Sequence, residues 1–250
     1  MTSEGSTGQP KYQRIADALR TAIQSGEYGP GDRLPGENDL MATYDVARMT
    51  TREALGVLQS EGLAIAQDGG IFVRTFKPLR RRGIERLAQE RWGSGHSVWS
   101  ADTEDRELVV DQVEVREEAA GRLADALGLS AGSLVWVRSR RFVLDGKPVL
   151  IATSYLPSDV VADSAITRAD TGPGGTYARL AELGHEPVHF REEIRCRMPS
   201  ADEAERLSLS MGTPVVQIVR TAFAEGGRAV EVNEMTLDSA SYVLEYEFEA

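Results

Sequence analysis

The 250-residue sequence predicts an α+β protein with two domains. Residues 11–75 show three helical patterns of apolar residues followed by a short hairpin pattern. Residues 101–250 show several longer strand patterns, which helices interrupt at irregular intervals. Because strands and helices do not alternate as they do around a parallel sheet, we expect the second domain to be built on an antiparallel sheet.

Composition indicates a cytoplasmic protein without a membrane partner. No apolar run approaches the roughly 20 residues that a membrane-spanning helix needs. Cys196 is the only cysteine, so no disulfide can form within the chain, which fits a reducing compartment. The net charge of −11 is uneven, because residues 1–82 hold 11 Lys and Arg against 10 Asp and Glu while residues 83–250 hold 17 against 29. A near-neutral first domain can still bind phosphates if its arginines cluster on one face.

The first domain begins with an amphipathic helix from Lys11 to Ser25. A second helix is expected at Glu37–Tyr44 and a third at Arg48–Ser60. Two short strands, at residues 63–65 and 71–73, flank a tight turn that contains two glycines. Three helices followed by such a hairpin are typical of a winged helix-turn-helix, a fold that reads duplex DNA.

The third helix carries side chains that suit DNA recognition. Arg48 and Arg52 are four residues apart and so share one side of the helix, and an arginine can donate two hydrogen bonds to guanine in the major groove. Thr50 and the first backbone amides of the helix suit phosphate contacts. Gly69 and Gly70 allow a close approach of the wing to the DNA backbone. Taken alone, an arginine pair more often only solvates a helix face, and the surrounding pattern favours DNA contact.

Residues throughout this domain carry a family resemblance. They are Tyr12, Ile15, Ala16, Leu19, Arg20, Ile23, Gly26, Pro30, Gly31, Asp32, Leu34, Pro35, Glu37, Leu40, Val46, Arg48, Thr50, Arg52, Glu53, Ala54, Leu55, Leu58, Glu61, Gly62, Leu63, Gly70, Phe72 and Val73. The pattern resembles the N-terminal domain of GntR-family transcription regulators. The resemblance implies that the recognition helix and the wing contact DNA. The candidate DNA-binding residues are Arg48, Thr50, Arg52, Met49, Asn38, Gly69 and Gly70.

Four positions depart from the family pattern. Asn38 stands where a basic residue is frequent, and Ala47 stands where Ser or Thr usually begins the recognition helix, so a helix cap of about 1 kcal/mol is missing. Thr51 replaces an apolar residue, and Asp68 places an acid in the wing. These departures leave the predicted fold unchanged and bear on DNA affinity and operator sequence.

Outside the two domains, we expect a flexible arm at residues 1–10 and a linker at residues 76–100. The arm lacks the basic start and the apolar stretch of a signal peptide. The linker begins with the basic run Lys77–Arg82, in which Pro78 interrupts regular structure. Its arginines either contact DNA phosphates or solvate a hinge. Within the linker, a short helix and then a loop are expected at residues 83–91 and 92–96.

The second domain, residues 101–250, is predicted to contain six strands and three helices. The strands lie at residues 108–115, 134–143, 149–155, 188–198, 215–224 and 229–237, and the helices at residues 117–127, 176–183 and 201–209. Ser200 and Glu203 form a capping box at the start of the last helix. A weak internal repeat of helix, turn and hairpin relates residues 119–148 to residues 204–229.

A second resemblance rests on residues of these strands and turns. They are Arg138, Arg140, Asp145, Gly146, Pro148, Ser154, Tyr155, Leu156, Pro157, Pro214, Val215, Arg220 and Glu231. The pattern resembles the UTRA ligand-sensing domain of the HutC branch of GntR regulators, over about residues 83–250. The resemblance implies an antiparallel-sheet fold similar to that of chorismate lyase.

The UTRA resemblance also implies a small-molecule effector, often anionic. Arg138 and Arg140 are candidate clamps for its anionic group, and Glu231 is a candidate polar anchor. Tyr242 and Asn233 are further candidates for the same pocket, although surface or core positions suit them as well. Each arginine can instead belong to a cross-strand salt bridge in so acidic a domain. Ala152 stands where a glutamate often reaches the effector, which weakens the case for a sugar phosphate.

No catalytic, metal or cofactor site is expected. His185 and His189 have the spacing of zinc ligands on a helix, but Pro187 lies between them and no HExxH motif occurs. No Walker loop or nucleophile elbow occurs, and Cys196 is expected to be buried in a strand.

The two resemblances together imply a ligand-responsive transcription regulator, more often a repressor. It would bind a palindromic operator as a homodimer, with an affinity that the effector changes. Two other functions stay open. One is an enzyme-like domain that processes a ligand and is attached to a DNA-binding head; the other is a constitutive dimeric DNA binder.

Overall fold

The computed structural model describes residues 9–75, 78–83, 87, 99, 103, 106–130, 132–209 and 212–248. The chain forms two compact units, residues 1–77 and residues 78–250. Most of the arm predicted at residues 1–10, and most of the helix and loop predicted at residues 83–96, lie outside the described residues.

The first unit contains three helices and a two-stranded hairpin, as the sequence predicts. These elements are α1 (Lys11–Gln24), α2 (Glu37–Tyr44), α3 (Arg48–Ser60), β1 (Ala64–Gln67) and β2 (Gly70–Val73). β1 and β2 are antiparallel, with Gln67 opposite Gly70, so two residues make the turn of the wing. Apolar side chains from all three helices, including Ile15, Leu40 and Leu55, form one buried cluster.

Two of the residues that depart from the family pattern, Ala47 and Thr51, lie at the start of α3. Ala47 precedes the helix and no side chain caps it, as the sequence predicts. Thr51 is fully buried, and its hydroxyl donates a 2.7 Å hydrogen bond to the carbonyl oxygen of Arg48. This bond offsets the cost of placing a hydroxyl in the core. At the other end, Arg20 of α1 donates two hydrogen bonds to Glu61, at 2.9 and 2.6 Å.

The second unit is built on one antiparallel sheet of six strands, which confirms the predicted α+β fold. Its strand order is β4-β5-β6-β9-β8-β7. The strands are β4 (Leu108–Ala119), β5 (Leu134–Leu144), β6 (Lys147–Pro157), β7 (Pro187–Arg197), β8 (Val215–Ala224) and β9 (Ala229–Asp238). The helices are α4 (Ala124–Leu127), α5 (Ser158–Val161), α6 (Gly175–Glu182) and α7 (Ala201–Arg206).

The sheet consists of two halves that meet where β6 pairs with β9. In one half α4 precedes the hairpin β5–β6, and in the other α7 precedes the hairpin β8–β9. This arrangement agrees with the internal repeat in the sequence.

Alternate residues of the central strands face opposite sides of the sheet. On β5, Trp136 packs against a cluster that contains Leu156 and Tyr177, whereas Val137 belongs to a cluster with Val232. Even-numbered residues of β5 therefore face the side that α5 and α6 cover, and odd-numbered residues face the side that α4 covers.

One strand of a short two-stranded sheet lies within the segment that the sequence assigns to a linker. β3 (Leu79–Arg82) pairs in parallel with β10 (Tyr242–Glu245). Arg80 and Arg82 form ion pairs with Glu245, at 2.7 and 3.3 Å, and Arg81 is buried. Residues 79–82 of the basic run therefore form a paired strand, and the interpretation of these residues as a solvated hinge is wrong. Its partner strand lies near the end of the chain, where a local pattern cannot reveal it.

Two other expectations were wrong. Residues 117–119 were expected to begin a helix but extend β4, because Glu117 and Glu118 pair across the sheet with β5. Cys196 is exposed rather than buried, because β7 is an edge strand of the sheet.

The capping box of α7 forms as predicted and includes a third residue. The Ser200 hydroxyl accepts from the Glu203 amide at 3.2 Å, and the Glu203 carboxylate accepts from the Ser200 amide at 2.8 Å. Arg197 donates two hydrogen bonds to the same carboxylate, at 2.6 and 2.7 Å. Chiefly because of Arg197, the pKa of Glu203 falls from 4.5 to about 2.

We expect Glu203→Gln to lower the free energy of unfolding at pH 7 by about 1–3 kcal/mol, because the charge-assisted bonds are lost. A depressed carboxyl pKa adds stability above the unfolded value, and this contribution is lost as pH falls toward the folded value. Urea unfolding should therefore show a difference between wild type and variant that shrinks from pH 5 to pH 3. Asp202→Asn, at an exposed neighbouring acid, is the control. A difference that stays constant over this range would exclude the ionised Glu203 as its source.

Candidate functional site

The first turn of α3 is an exposed surface that carries most of the predicted DNA-binding residues. The side chains of Arg48 and Arg52 are 55% and 57% exposed, and Met49 is also exposed. Thr50 is half-buried in the same turn. Asn38 of α2 lies beside them, because its Oδ1 accepts a 3.1 Å hydrogen bond from Arg48. The structure thus brings these five residues together.

Glu37 of α2 contacts both recognition arginines. Its Oε1 accepts a 2.8 Å hydrogen bond from Nε of Arg52, and its Oε2 lies 3.6 Å from Nε of Arg48. The bond to Arg52 uses Nε, so neither terminal Nη group is occupied by a hydrogen bond to the described residues. The sequence placed Glu37 in the first turn of α2 and in the family pattern. It did not reveal this contact, which depends on how α2 packs against α3.

The wing contains two glycines whose backbone angles other residues rarely adopt. Gly69 has φ +95° and Gly70 has φ +153°, a range that favours glycine. A Cβ atom at position 70 would lie 2.8 Å from Nε of Arg33. The backbone of Arg33 forms an isolated β-bridge with Phe72 of β2. The Arg33 side chain is exposed and therefore adds a positive charge beside the wing. Sequence analysis missed Arg33 because it lies in the irregular segment before α2.

A cavity of about 420 Å³ lies on the α6 side of the six-stranded sheet. Its walls come from β4, β5, β8 and β9, from the segment before α6 and from the first turn of that helix. They include Trp99, Val110, Val113, Arg138, Arg140, Phe142, Ala169, Asp170, Thr171, Gly174, Gly175, Thr176, Tyr177, Arg220, Glu231 and Asn233. Four of the five predicted effector residues are therefore together, but Tyr242 is not among them. Tyr242 lies on β10 and lines a separate cavity of about 20 Å³.

Strand geometry explains why these side chains converge. Arg138, Arg140 and Phe142 are alternate residues of β5 and share a face, and Arg220 of β8 lies opposite Asn233 of β9. A β-bulge in β4 completes the wall. The pairing steps from Asp111–Arg141 to Glu114–Ser139, so two residues of β4 oppose one residue of β5. The bulge contains Gln112, which has φ +48°.

The terminal guanidinium nitrogens of Arg138 donate hydrogen bonds to backbone carbonyl groups. Its guanidinium donates to the carbonyl oxygens of Ile166, Arg168 and Ala169, the last at 3.0 Å. Burial and the nearby charge of Arg140 lower the pKa of Arg138 to about 10. The side chain therefore fixes the segment that leads into α6. Neither a free anion clamp nor a cross-strand salt bridge describes it.

Arg140 and Arg220 retain donors for a ligand. Arg140 donates a 2.6 Å hydrogen bond to Ser154, and burial lowers its pKa. Arg220 is only 2% exposed, and its Nε and Nη1 atoms have no hydrogen-bond partner among the described residues. The rings of Trp99 and Tyr177 lie 5.9 and 5.4 Å from its Cζ atom. Sequence analysis quoted Arg220 for the resemblance but assigned it no ligand contact.

Glu231 and Asn233 supply acceptors at the same cavity. Both are buried, and Glu231 accepts a 2.8 Å hydrogen bond from the Tyr177 hydroxyl. Burial raises the pKa of Tyr177 well above 10, so the phenol stays protonated and donates. The Oδ1 atom of Asn233 has no hydrogen-bond partner among the described residues. A buried acceptor of this kind suits a ligand with a hydroxyl or amino donor.

The start of α6 adds a positive potential to the cavity wall. Gly174 precedes the helix with φ +78°, and both Gly174 and Gly175 line the cavity. The first amides of a helix and its dipole favour an anion at this end. The lining contains three arginines and two acidic residues, Asp170 and Glu231, so basic side chains outnumber acidic ones. Together with the acceptors of Asn233 and Glu231, this lining suits a small anion that also carries a hydrogen-bond donor.

His185 and His189 do not share a helix, because His185 precedes β7 and His189 lies within it. The residues that the structure describes contain no cluster of three or more His, Cys, Asp or Glu side chains that suits a metal ion. Among the described helices, none has the length and apolar character to cross a membrane.

We expect Arg138→Ala to destabilise the second unit by about 2–4 kcal/mol, because buried carbonyl groups lose their donors. Amide hydrogen exchange should rise most in residues 166–175. Arg195→Ala, at an exposed arginine of β7, is the control. Unchanged exchange in residues 166–175 would contradict the proposed contact.

Two family models match the chain. The model described as "Bacterial regulatory proteins, gntR family" matches residues 11–73, and the model described as "UTRA domain" matches residues 104–242. An HTH-type transcriptional regulator of Streptomyces coelicolor is 35% identical over 232 residues, which cover 89% of this chain and 86% of that protein. The HTH-type transcriptional repressor NagR of Bacillus subtilis is 26% identical over 226 residues, which cover 89% and 88% of the two chains.

Solved structures show the same architecture. A crystal structure of a GntR-family transcriptional regulator aligns with a TM-score of 0.65 and 26% identity, over 97% of this chain and 98% of that one. The C-terminal domain of the histidine utilization repressor of Pseudomonas syringae aligns with a TM-score of 0.52 and 21% identity, over 58% of this chain and 100% of that one. The second similarity concerns the fold alone.

Proposed function

Because the chain belongs to the GntR family of bacterial transcription regulators, in the HutC subfamily with a UTRA domain, we propose that it represses transcription from a palindromic operator. This is a family of regulators and not of enzymes. A relative of similar length, NagR, is a repressor, which supports the proposed sign of regulation. The protein would bind in the cytoplasm as a homodimer, because a two-fold symmetric dimer matches a palindromic site.

The exposed pair Arg48 and Arg52 carries the proposal for DNA recognition. Glu37 restrains Arg52 through Nε, which leaves the terminal groups to donate to a guanine edge. Met49 suits a thymine methyl group, and Thr50 suits a phosphate. Asn38 acts by orienting Arg48.

The wing would contact the DNA backbone. Gly69 and Gly70 allow close approach, and Arg33 beside them supplies a charge for a phosphate. Asp68 is exposed in the turn and opposes this attraction.

Buried Arg220 carries the proposal for the effector, because its Nε and Nη1 atoms have no hydrogen-bond partner in the part of the chain that the structure describes. The anionic group of the effector would bind Arg140, Arg220 and the start of α6, and a hydroxyl or amino group would bind Asn233 and Glu231. Ala152 is buried opposite Arg140 and does not line the cavity. Where the family often has a glutamate, this chain has the methyl group of Ala152. The main carboxylate near Asn233 is therefore that of Glu231.

Effector binding would change operator affinity because the effector prefers one state of the dimer. A ligand shifts such an equilibrium only by its difference in affinity between the two states. A constitutive DNA binder would instead show the same operator affinity at all effector concentrations.

We expect Arg52→Ala to weaken binding to the selected operator by about 1–3 kcal/mol and to reduce discrimination at one base pair in each half-site. Selection of bound sequences from random duplex DNA, followed by titration at fixed salt, measures both effects. Arg14→Ala, at an exposed arginine of α1, is the control for loss of charge. Weaker binding with unchanged discrimination would assign Arg52 to phosphate contact.

We expect Arg220→Met to weaken binding of inorganic phosphate, used as a probe of the anion site, by at least about tenfold in calorimetry, because a buried charge-assisted contact is removed. Arg195→Met controls for the change in net charge. Equal phosphate affinity in wild type and Arg220→Met would place the anion elsewhere.

A further inference from the structure

Trp99 lies between the effector cavity and a second, much smaller cavity. Both Trp99 and Phe142 line the two cavities, and their ring centroids are 4.5 Å apart. On the effector side, Trp99 lies 5.7 Å from Cζ of Arg140 and 5.9 Å from that of Arg220. On the other side, the small cavity is lined by Leu79 and Arg81 of β3, among other residues.

β3 is the first strand after the DNA-binding unit, and it is firmly held. Arg81 is 1% exposed and forms two hydrogen bonds with the Glu192 carboxylate, one of them at 3.0 Å. The Tyr246 hydroxyl donates to the same carboxylate at 3.1 Å. Gly83 then approaches Tyr246 so closely that a Cβ atom at this position would overlap the ring. β3 is therefore anchored to the second unit at the point where this unit follows the DNA-binding unit in the sequence.

We propose that Trp99 transmits occupancy of the effector cavity to β3, an inference that rests on the anion site proposed above. An anion bound to Arg140 and Arg220 neutralises the charges that attract the indole ring, and it competes for the space above them. The ring then moves toward Phe142 and the small cavity. That cavity holds only about 20 Å³, room for roughly one water molecule, so the ring cannot enter unless β3 shifts.

Amide hydrogen exchange of residues 79–83 in the full-length protein tests the mechanical contact without a ligand. We expect Trp99→Leu to raise exchange in these residues by about tenfold, because the side chain beneath β3 is lost. Trp136→Leu is the matched control, since Trp136 packs on the Leu156 cluster and lines neither cavity. Trp99→Phe is the second variant if the leucine variant does not fold. Exchange that is unchanged in residues 79–83 overturns the proposal.

A second arm adds inorganic phosphate at concentrations that saturate each protein in calorimetry. We expect phosphate to change exchange in residues 79–83 of wild type and of Trp136→Leu, and this change to be absent in the Trp99 variants. Phosphate binding to wild type without a change in these residues overturns the coupling and leaves the anion site intact. If wild type binds no phosphate, the anion site is refuted, and the first arm alone decides whether Trp99 supports β3.

Discussion

The burial of three arginine side chains on one face of the sheet is the constraint that organises the second unit. A buried charge is stable only when hydrogen bonds, opposite charges or the faces of aromatic rings replace its water. Each arginine meets this requirement differently. Arg138 bonds to three carbonyl oxygens, Arg140 bonds to Ser154, and Arg220 lies against the rings of Trp99 and Tyr177. The three arginines therefore differ in role: Arg138 holds the fold, and Arg220 is the most open to a ligand.

The same constraint places the other cavity residues. Glu231 supplies a negative charge to the cluster and fixes the Tyr177 hydroxyl. The carbonyl groups that bind Arg138 belong to the segment that leads into α6, so the start of this helix is held at the cavity wall. A bulge in β4 faces Arg140 and brings apolar side chains into the opposite wall. Charge, helix end and apolar wall thus meet in one place, although they come from distant parts of the sequence.

Sequence reasoning predicted the elements well where a pattern repeats locally. The bounds of α2 and α3 are as predicted, and most strands differ by one or two residues. It failed where an interaction joins distant segments. The pairing of β3 with β10 is one case, and the contact of Glu37 with Arg52 is another. The resemblance made Arg138 and Arg140 candidate anion clamps, but only the fold shows that backbone carbonyl groups bind Arg138. The fold also shows that two nitrogen atoms of Arg220 have no hydrogen-bond partner among the described residues. Tyr242 could not be excluded from the cavity without knowledge of β10.

The parallel pairing of β3 with β10 also has a consequence for dissection of the protein. The first described strand of the second unit lies beside its last described strand. A fragment that starts after Gly83 would leave β10 with an unpaired edge and the Glu192 carboxylate without its arginine. A fragment that stops before β10 would leave Arg80 and Arg82 without Glu245. The isolated second unit should therefore be cut before Leu79 and should extend through Tyr246. Because the two strands are parallel, residues added before Leu79 and residues added after Tyr246 would leave from opposite ends of the strand pair.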